Sequence, residues 1–317
     1  YPDHYVELNV RGVEAVRNLA EEIGGSWLTE TGTLEIAAGA EAGARLADDV
    51  ARLDSEFAYP SEMVSRERAA ELAEVTLRAD EVAAFFPRDA LIDPVTLIGR
   101  LAATVRAAGG RTIHERVVGF ERGGDAIRTV QLAGGGALTA DRVVFAGGAW
   151  TRDLADLAGI DIAMLPRDDD RVAGLVAAVG APPTAPGPLL LFPEVMIRPA
   201  GPGRILLASD RADAAIDRMS TRDQLLAAAE IWRRRAAARI PALERSDLLD
   251  VRLGMRALSA DGLTIAGVPT NTANAYVLTT HSGFTLAPLL AELAAAEICR
   301  GDQQSCLAPY RLTRFAS

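Results

Sequence analysis

Apolar residues recur at helical spacing through the opening stretch: Val6, Leu8, Val13, Val16, Leu19, Ala20 and Ile23, closed by Gly24-Gly25. The next stretch is strand-like, with Trp27-Leu28 and Thr33-Leu34-Glu35-Ile36 around Thr31-Gly32, and predicts a hairpin over 26–37. Helical patterns return at 40–57 and 65–73. Asp93, an N-cap type residue, precedes Pro94, and Leu97, Leu101 and Val105 then carry a helix to Gly109-Gly110. Strand patterns follow at 111–121 and 126–132, with a turn at Gly134-Gly135-Gly136. Asp141 to Gly148 reads as a continuous apolar strand, expected to be buried on both faces, and a helix over Thr151–Ala158 comes after it. Two strands around 199–203 are expected within 189–210, then a helix over 221–237. Tyr276–Thr280 is a strand, His281-Ser282-Gly283 a loop, and Leu286–Cys299 a long helix. This mixture suits an α/β fold with an additional mixed sheet.

Composition narrows the chemistry. The 317 residues, 49% hydrophobic, are enough to build one large or two ordinary cores. No apolar run approaches the roughly 20 residues that a membrane helix needs, so no transmembrane segment is expected. The net charge is −10, and the only basic cluster, Arg233-Arg234-Arg235, lies in a helical stretch where a solvated face is expected; nucleic acid is not an expected partner. All 33 basic residues are arginine. That excludes a pyridoxal-phosphate Schiff base and a Walker-type phosphate loop, both of which need a lysine amine. Cys299 and Cys306 are close enough in sequence for a small-loop disulfide, but thiols in a reducing cytoplasm are the default, and three scattered histidines support no zinc site. The start, Tyr1-Pro2-Asp3-His4, is not a signal peptide; with no initiator Met, a preceding segment is expected.

Three stretches have candidate chemistry. Val144-Phe145-Ala146-Gly147-Gly148-Ala149-Trp150 ends a strand on small residues, which permits close approach of a ligand phosphate, or is simply a tight strand-to-helix turn. Gly254-Met255-Arg256 sets a guanidinium beside glycine, suited to a carboxylate or to a structural ion pair. Thr280-His281-Ser282-Gly283-Phe284-Thr285 feeds a helix N-terminus, whose N–H groups suit an anion or an electron-rich ring oxygen. His281 beside Ser282 suggests a hydrolase, but Thr280 and Phe284 stand where a nucleophile elbow needs glycine, and neighbouring residues rarely face each other as nucleophile and base.

Taken together, the chain resembles the FAD-dependent amino-acid oxidase family, which includes D-amino-acid oxidase, glycine oxidase and the sarcosine and dimethylglycine dehydrogenases. The resemblance rests on Leu91-Ile92-Asp93-Pro94 with its helix to Gly109-Gly110, on Ala140–Trp150, on Gly254-Met255-Arg256 with Asp261-Gly262, and on Thr280–Pro288. It implies a two-domain α/β fold, a dinucleotide-binding domain plus a mixed β-sheet substrate domain. The FAD domain is expected over 1–25, 88–163 and 250–317, and the substrate domain over 26–87 and 164–249. It also implies non-covalent FAD and oxidation of a C–N bond next to a carboxylate, by hydride transfer from the α-carbon to flavin N5. Arg256 would anchor the substrate carboxylate. Gly254 and Met255 would lie near the flavin, and His281, Ser282, Gly283, Phe284 and Thr285 would face its pyrimidine oxygen. Val117 would contact the adenine side, and Gly147, Gly148 and Trp150 would line the cofactor cleft.

Three departures shape the expectation. The family's opening strand with Gly-x-Gly-x-x-Gly, helix and acidic ribose ligand has no counterpart here, so that unit is expected outside this sequence, on another chain, or lost with the cofactor. Ala257 also replaces the proline that usually follows the arginine, and the absence of lysine removes the oxygen-activating lysine of the sarcosine-oxidase branch. The expected protein is a cytoplasmic flavoenzyme acting on a small-molecule substrate, an amino acid or amine. The alternative is a non-catalytic or partner-dependent subunit that keeps the fold without a complete FAD site.

Overall fold

The computed structural model describes residues 1–182, 187–209 and 216–315. Asp210, the end of the second predicted strand region, lies outside them. The elements run α1 (Asp3–Ile23), β1 (Leu28–Glu30), β2 (Thr33–Ala38), α2 (Ala40–Phe57), β3 (Glu62–Val64), α3 (Arg66–Ala73), β4 (Glu81–Phe86) and β5 (Ala90–Ile92). Then come α4 (Pro94–Ala107), β6 (Val117–Gly123), β7 (Ala126–Leu132), β8 (Ala137–Leu138), β9 (Val143–Phe145), α5 (Thr151–Leu157), β10 (Ala173–Gly180), β11 (Leu189–Phe192), β12 (Val195–Pro199) and β13 (Arg204–Ala208). The last are α6 (Arg222–Arg239), β14 (Leu248–Met255), β15 (Ile265–Gly267), β16 (Ala275–Thr279) and α7 (Gly283–Ala295).

The chain forms two compact units that alternate in sequence. One holds 1–25, 94–172 and 255–317, the other 26–93 and 173–254. In the second unit an eight-stranded sheet has the order β14-β10-β13-β12-β11-β2-β4-β3, with β2 and β11 parallel. Leu34 and Ile36 of β2 turn to one face, where Leu190, Ile197, Ile205 and Leu207 join them against Ala69 and Ala73 of α3 and Ala229 and Trp232 of α6. Alternation of period two selects that face, and Glu35 consequently stands on the other. Thr221 and Gln224 close a capping box at the start of α6.

The predicted hairpin over 26–37 does not form. β1 pairs with β5 instead, while β2 has β4 on one edge and β11 on the other. Gly32, at φ +74°, donates to Asp89 O and accepts from Leu189 N, so the turn joins two sheets rather than two neighbouring strands. Burial of Trp27, whose carbonyl accepts from Asp93 N at 2.7 Å, draws β1 away from β2.

In the first unit β9 and β16 run parallel and β15 joins β16 antiparallel, in the order β15-β16-β9. A second sheet, β6-β7-β8, meets this one where Phe120 lies 5.3 Å from Phe145, ring centre to ring centre. β9 is shorter than its sequence pattern and is not buried on both faces. Phe145 is buried, but Val144 is 47% exposed, because no described element covers its side. The strand expected from 111 begins only at Val117. No helix among the described residues is long and apolar enough to cross a membrane.

Candidate functional site

The parallel register Val277↔Phe145 sets the carboxyl ends of β9 and β16 side by side. In open α/β sheets that end is where ligands bind, because the connecting loops and helix N-termini gather there. Two of the predicted stretches therefore meet. The Gly147-Gly148 turn leaves β9 and leads through Trp150 into α5, while Thr280-His281-Ser282 leaves β16 and leads into α7. Gly148 adopts φ +58°, a conformation that side chains resist, and a Cβ there would meet nothing within 4 Å. A Cβ on Gly283 would likewise meet only open space. Trp150 and Phe284 expose about half of their surface, 52% and 50%, and His281 is exposed. The Arg167 guanidinium lies over the Trp150 ring.

Beneath this surface the floor is rigid. Thr264 Oγ1 donates to Thr280 Oγ1 at 3.0 Å and ties the start of β15 to the end of β16. Tyr276 of β16 donates to Glu297 at 2.6 Å. Glu297 also receives Arg311 Nη1 at 2.8 Å and the Gln304 N–H at 2.8 Å. Burial pushes the Glu297 carboxyl up, yet the bonds from Arg311, Tyr276 and Gln304 hold it below its ordinary value. Two buried hydroxyls, Thr151 Oγ1 and Thr279 Oγ1, have no hydrogen-bond partner among the described residues.

Arg256 follows β14 directly. Its N–H donates to Val172 O at 2.7 Å, and the segment after it runs antiparallel to 163–165 through Leu165 N to Leu258 O and Ala260 N to Ala163 O. Met255 and Arg256 are half-buried and belong to the same unit as the α7 loop, whereas Gly254 is the last residue of the other unit. Val117 opens β6, away from the two glycine turns in sequence and in a different sheet. Cys299 is exposed, Cys306 half-buried, and both are free thiols. Among the described residues no group of His, Cys, Asp or Glu could hold a metal ion.

The first helix contributes two residues that sequence reasoning missed. Tyr5 lies at hydrogen-bond distance from Ser282, 3.3 Å between hydroxyl oxygens. Gly12 faces Thr285, and a Cβ there would stand 2.7 Å from its carbonyl oxygen. The only sequence signal was a glycine inside an otherwise helical pattern, which often marks close backbone approach.

A family model described as DAO, FAD dependent oxidoreductase, matches residues 1–297. The chain belongs to this family, whose cofactor is FAD. Glycine oxidase from Geobacillus kaustophilus (strain HTA426) is 26% identical over 260 residues, which is 80% of this chain and 66% of that protein; the match thus spans just under two thirds of the relative's length. Among solved structures, L-amino acid deaminase from Proteus vulgaris, lacking its specific insertion sequence, aligns with a TM-score of 0.84 at 21% identity, over 99% of this chain and 81% of that one. L-proline dehydrogenase from P. horikoshii aligns at 0.83 and 21%, over 99% and 84%. These structural likenesses establish the two-domain α/β fold of FAD-dependent amino-acid oxidases.

The residues at the carboxyl ends of β9 and β16 fit the ring end of FAD. Open space stands over Gly148 and Gly283, and the first-turn N–H groups of α7 receive no side-chain cap. For the pyrophosphate, the sequence holds no Gly-x-Gly-x-x-Gly turn opening a helix.

Proposed function

We propose that the protein is an FAD-dependent oxidoreductase that oxidises the C–N bond of an amino acid or N-substituted glycine. The observation that carries this reading is the uncapped N-terminus of α7, set beside the Gly147-Gly148 turn at the carboxyl ends of adjacent parallel strands. Bound there, FAD would supply a two-electron acceptor for the hydride on the substrate α-carbon. The α7 N-terminus, through Gly283, Phe284 and Thr285, offers N–H groups and the positive end of a helix dipole to the electron-rich edge of the ring. That end of the helix favours negative charge, so it favours the reduced cofactor over the oxidised one. Gly147 and Gly148 let a ligand approach the backbone, and Trp150 and Phe284 offer apolar faces that exclude water. Arg256 holds the substrate carboxylate through its planar fork, fixing the α-carbon against rotation. Val117, Gly254, Met255 and His281 complete the proposed cofactor contacts, and their assignment rests on the family resemblance.

The test is a visible absorption spectrum of the full-length protein before and after anaerobic addition of mixed amino acids. Flavin bands that bleach on addition support the reading. A protein that stays colourless when FAD is supplied overturns it.

A further inference from the structure

β14 is an end strand of the eight-stranded sheet, and among the described residues no strand pairs with its outer side. It runs antiparallel to β10, since Arg256 N–H donates to Val172 O at one end and Gly180 N–H donates to Asp247 O at the other. Alternation back from Arg256 is unbroken as far as Val251. Val251 is buried and Leu253 packs against the same core, while Arg252 and Gly254 between and beyond them are exposed. In an antiparallel ladder the N–H and C=O of every second residue turn to the same neighbour. Those of Arg256, Gly254 and Arg252 therefore face β10, and those of Leu253 and Val251 face outward. Unpaired backbone groups along an exposed edge are a template for another strand.

The residues along this edge are their own complement. Leu249-Asp250-Val251-Arg252-Leu253, set against a second copy running antiparallel about Val251, brings Asp250 opposite the partner's Arg252, Arg252 opposite the partner's Asp250, and Leu249 opposite the partner's Leu253. Asp250 and Arg252 stand on the same side of the strand, because their side chains pair at 3.0 Å, and the Arg252 side chain is 81% exposed. Leu249 is 56% exposed. The neighbouring registers that also keep outward groups opposed are centred on Asp250 and on Arg252. Each of those sets like charges directly opposite one another, which is destabilising, whereas opposite charges across two strands stabilise.

We propose that β14 is the seam of a homodimer, in which a second copy of this chain adds its own β14 antiparallel about Val251 and joins the two eight-stranded sheets into one. The interface is isologous, as a twofold axis requires. The two Val251 residues exchange backbone hydrogen bonds at the axis. Two ion pairs between Asp250 and Arg252 flank them on one face, and each Leu249 is covered by the partner's Leu253 on crossing the axis. A second copy is the occupant because the charges of this strand match its own reverse. The proposal is independent of the FAD reading.

Sedimentation of the full-length protein over a concentration series tests it, with wild type, Arg252→Asp and the double variant Asp250→Arg/Arg252→Asp compared. Arg252→Asp puts acid opposite acid on both sides of the axis, so the dimer dissociation constant should rise about tenfold or more. The double variant reverses every charge and keeps the complementarity, so it should dimerise as wild type does. Hydrogen exchange at the Val251 and Leu253 amides should slow as the wild-type dimer forms. A wild type that is monomeric throughout the series overturns the proposal. So does a dimer that Arg252→Asp does not weaken, or a double variant that associates no better than Arg252→Asp.

Discussion

Gly12 and Thr285 are in such close contact that a Cβ on Gly12 would stand 2.7 Å from the Thr285 carbonyl oxygen and 2.9 Å from Leu286 Cδ2. A backbone oxygen at the start of a buried helix cannot retreat as a flexible side chain can. Gly12→Ala therefore has to push α1 and α7 apart, and overpacking of this kind costs about 1–3 kcal/mol. The gain in helix propensity, about 1 kcal/mol, offsets only part of that. Gly99, inside α4, supplies the opposite case, since a Cβ there meets nothing within 4 Å. Thermal unfolding should show Gly12→Ala melting lower than wild type and Gly99→Ala melting higher. Equal shifts in the two variants would refute the contact.

Arg239, at the end of α6, is a buried charge, 1% exposed. It grips Glu81 at the start of β4 with two bonds, 2.8 and 2.6 Å, donates to Glu194 at 2.8 Å, and lies over the Phe192 ring at 4.7 Å. Burial pushes the Glu81 carboxyl up, but the Arg239 and Arg78 bonds outweigh it and hold the pKa below its ordinary value. Its stabilising contribution is thus present above the unfolded-state pKa and is lost as pH falls through the lower folded-state value. Glu81→Gln leaves Arg239 with Glu194 as its remaining carboxylate partner and should destabilise at pH 7, by less than the roughly 3–5 kcal/mol of a buried charge left without any partner. Denaturant unfolding from pH 7 down to pH 3 should show that deficit narrowing with acid. A deficit that is constant across this range would sink the account.

Much of this was legible from residue patterns, and the failures have physical causes. The helices α2, α3 and α4 follow from apolar spacing and, for α4, from the Asp93-Pro94 start signal, all local in sequence. The hairpin over 26–37 failed because partner choice in a sheet is non-local: the pairing of β2 with β11 joins residues more than 150 positions apart. The β9 pattern gave the strand but not the cover on its faces, which depends on other elements. At the site, the glycine turns and the α7 loop were readable because they are contiguous. Tyr5 and Gly12 were not, since their importance lies in a contact 277 positions away for Tyr5 and in interhelical distance for Gly12.

Arg256 is proposed to hold a carboxylate, so its removal should act on substrates that have one. A charged hydrogen-bonded group contributes about 1.5–3 kcal/mol, which corresponds to roughly a 10- to 150-fold loss in kcat/KM for Arg256→Leu. The loss should fall mainly on KM for an amino acid. A corresponding amine without the carboxylate should react with both enzymes at similar rates. Steady-state kinetics on the full-length protein decide the matter. An equal loss on both substrates would make Arg256 a structural residue, one whose side chain serves the fold and not the substrate.

Glu35 presents the reverse of Glu81. It stands on β2, on the face opposite Leu34 and Ile36, and no hydrogen bond or ion pair to it is found among the described residues. Burial, followed by the neighbouring charges of Asp49 and Asp89, raises its pKa above the ordinary carboxylate value. For a carboxyl raised on folding, stability is fully present below the unfolded-state pKa and declines as pH rises through the folded-state value. Ionisation of Glu35 therefore works against the fold at neutral and alkaline pH. Glu35→Gln, neutral and nearly the same size, should raise the melting temperature at pH 8 by on the order of a few degrees. At pH 4, where the wild-type carboxyl is itself largely protonated, the two proteins should melt together. A variant less stable than wild type at pH 8 would show instead that the ionised carboxylate has a stabilising partner.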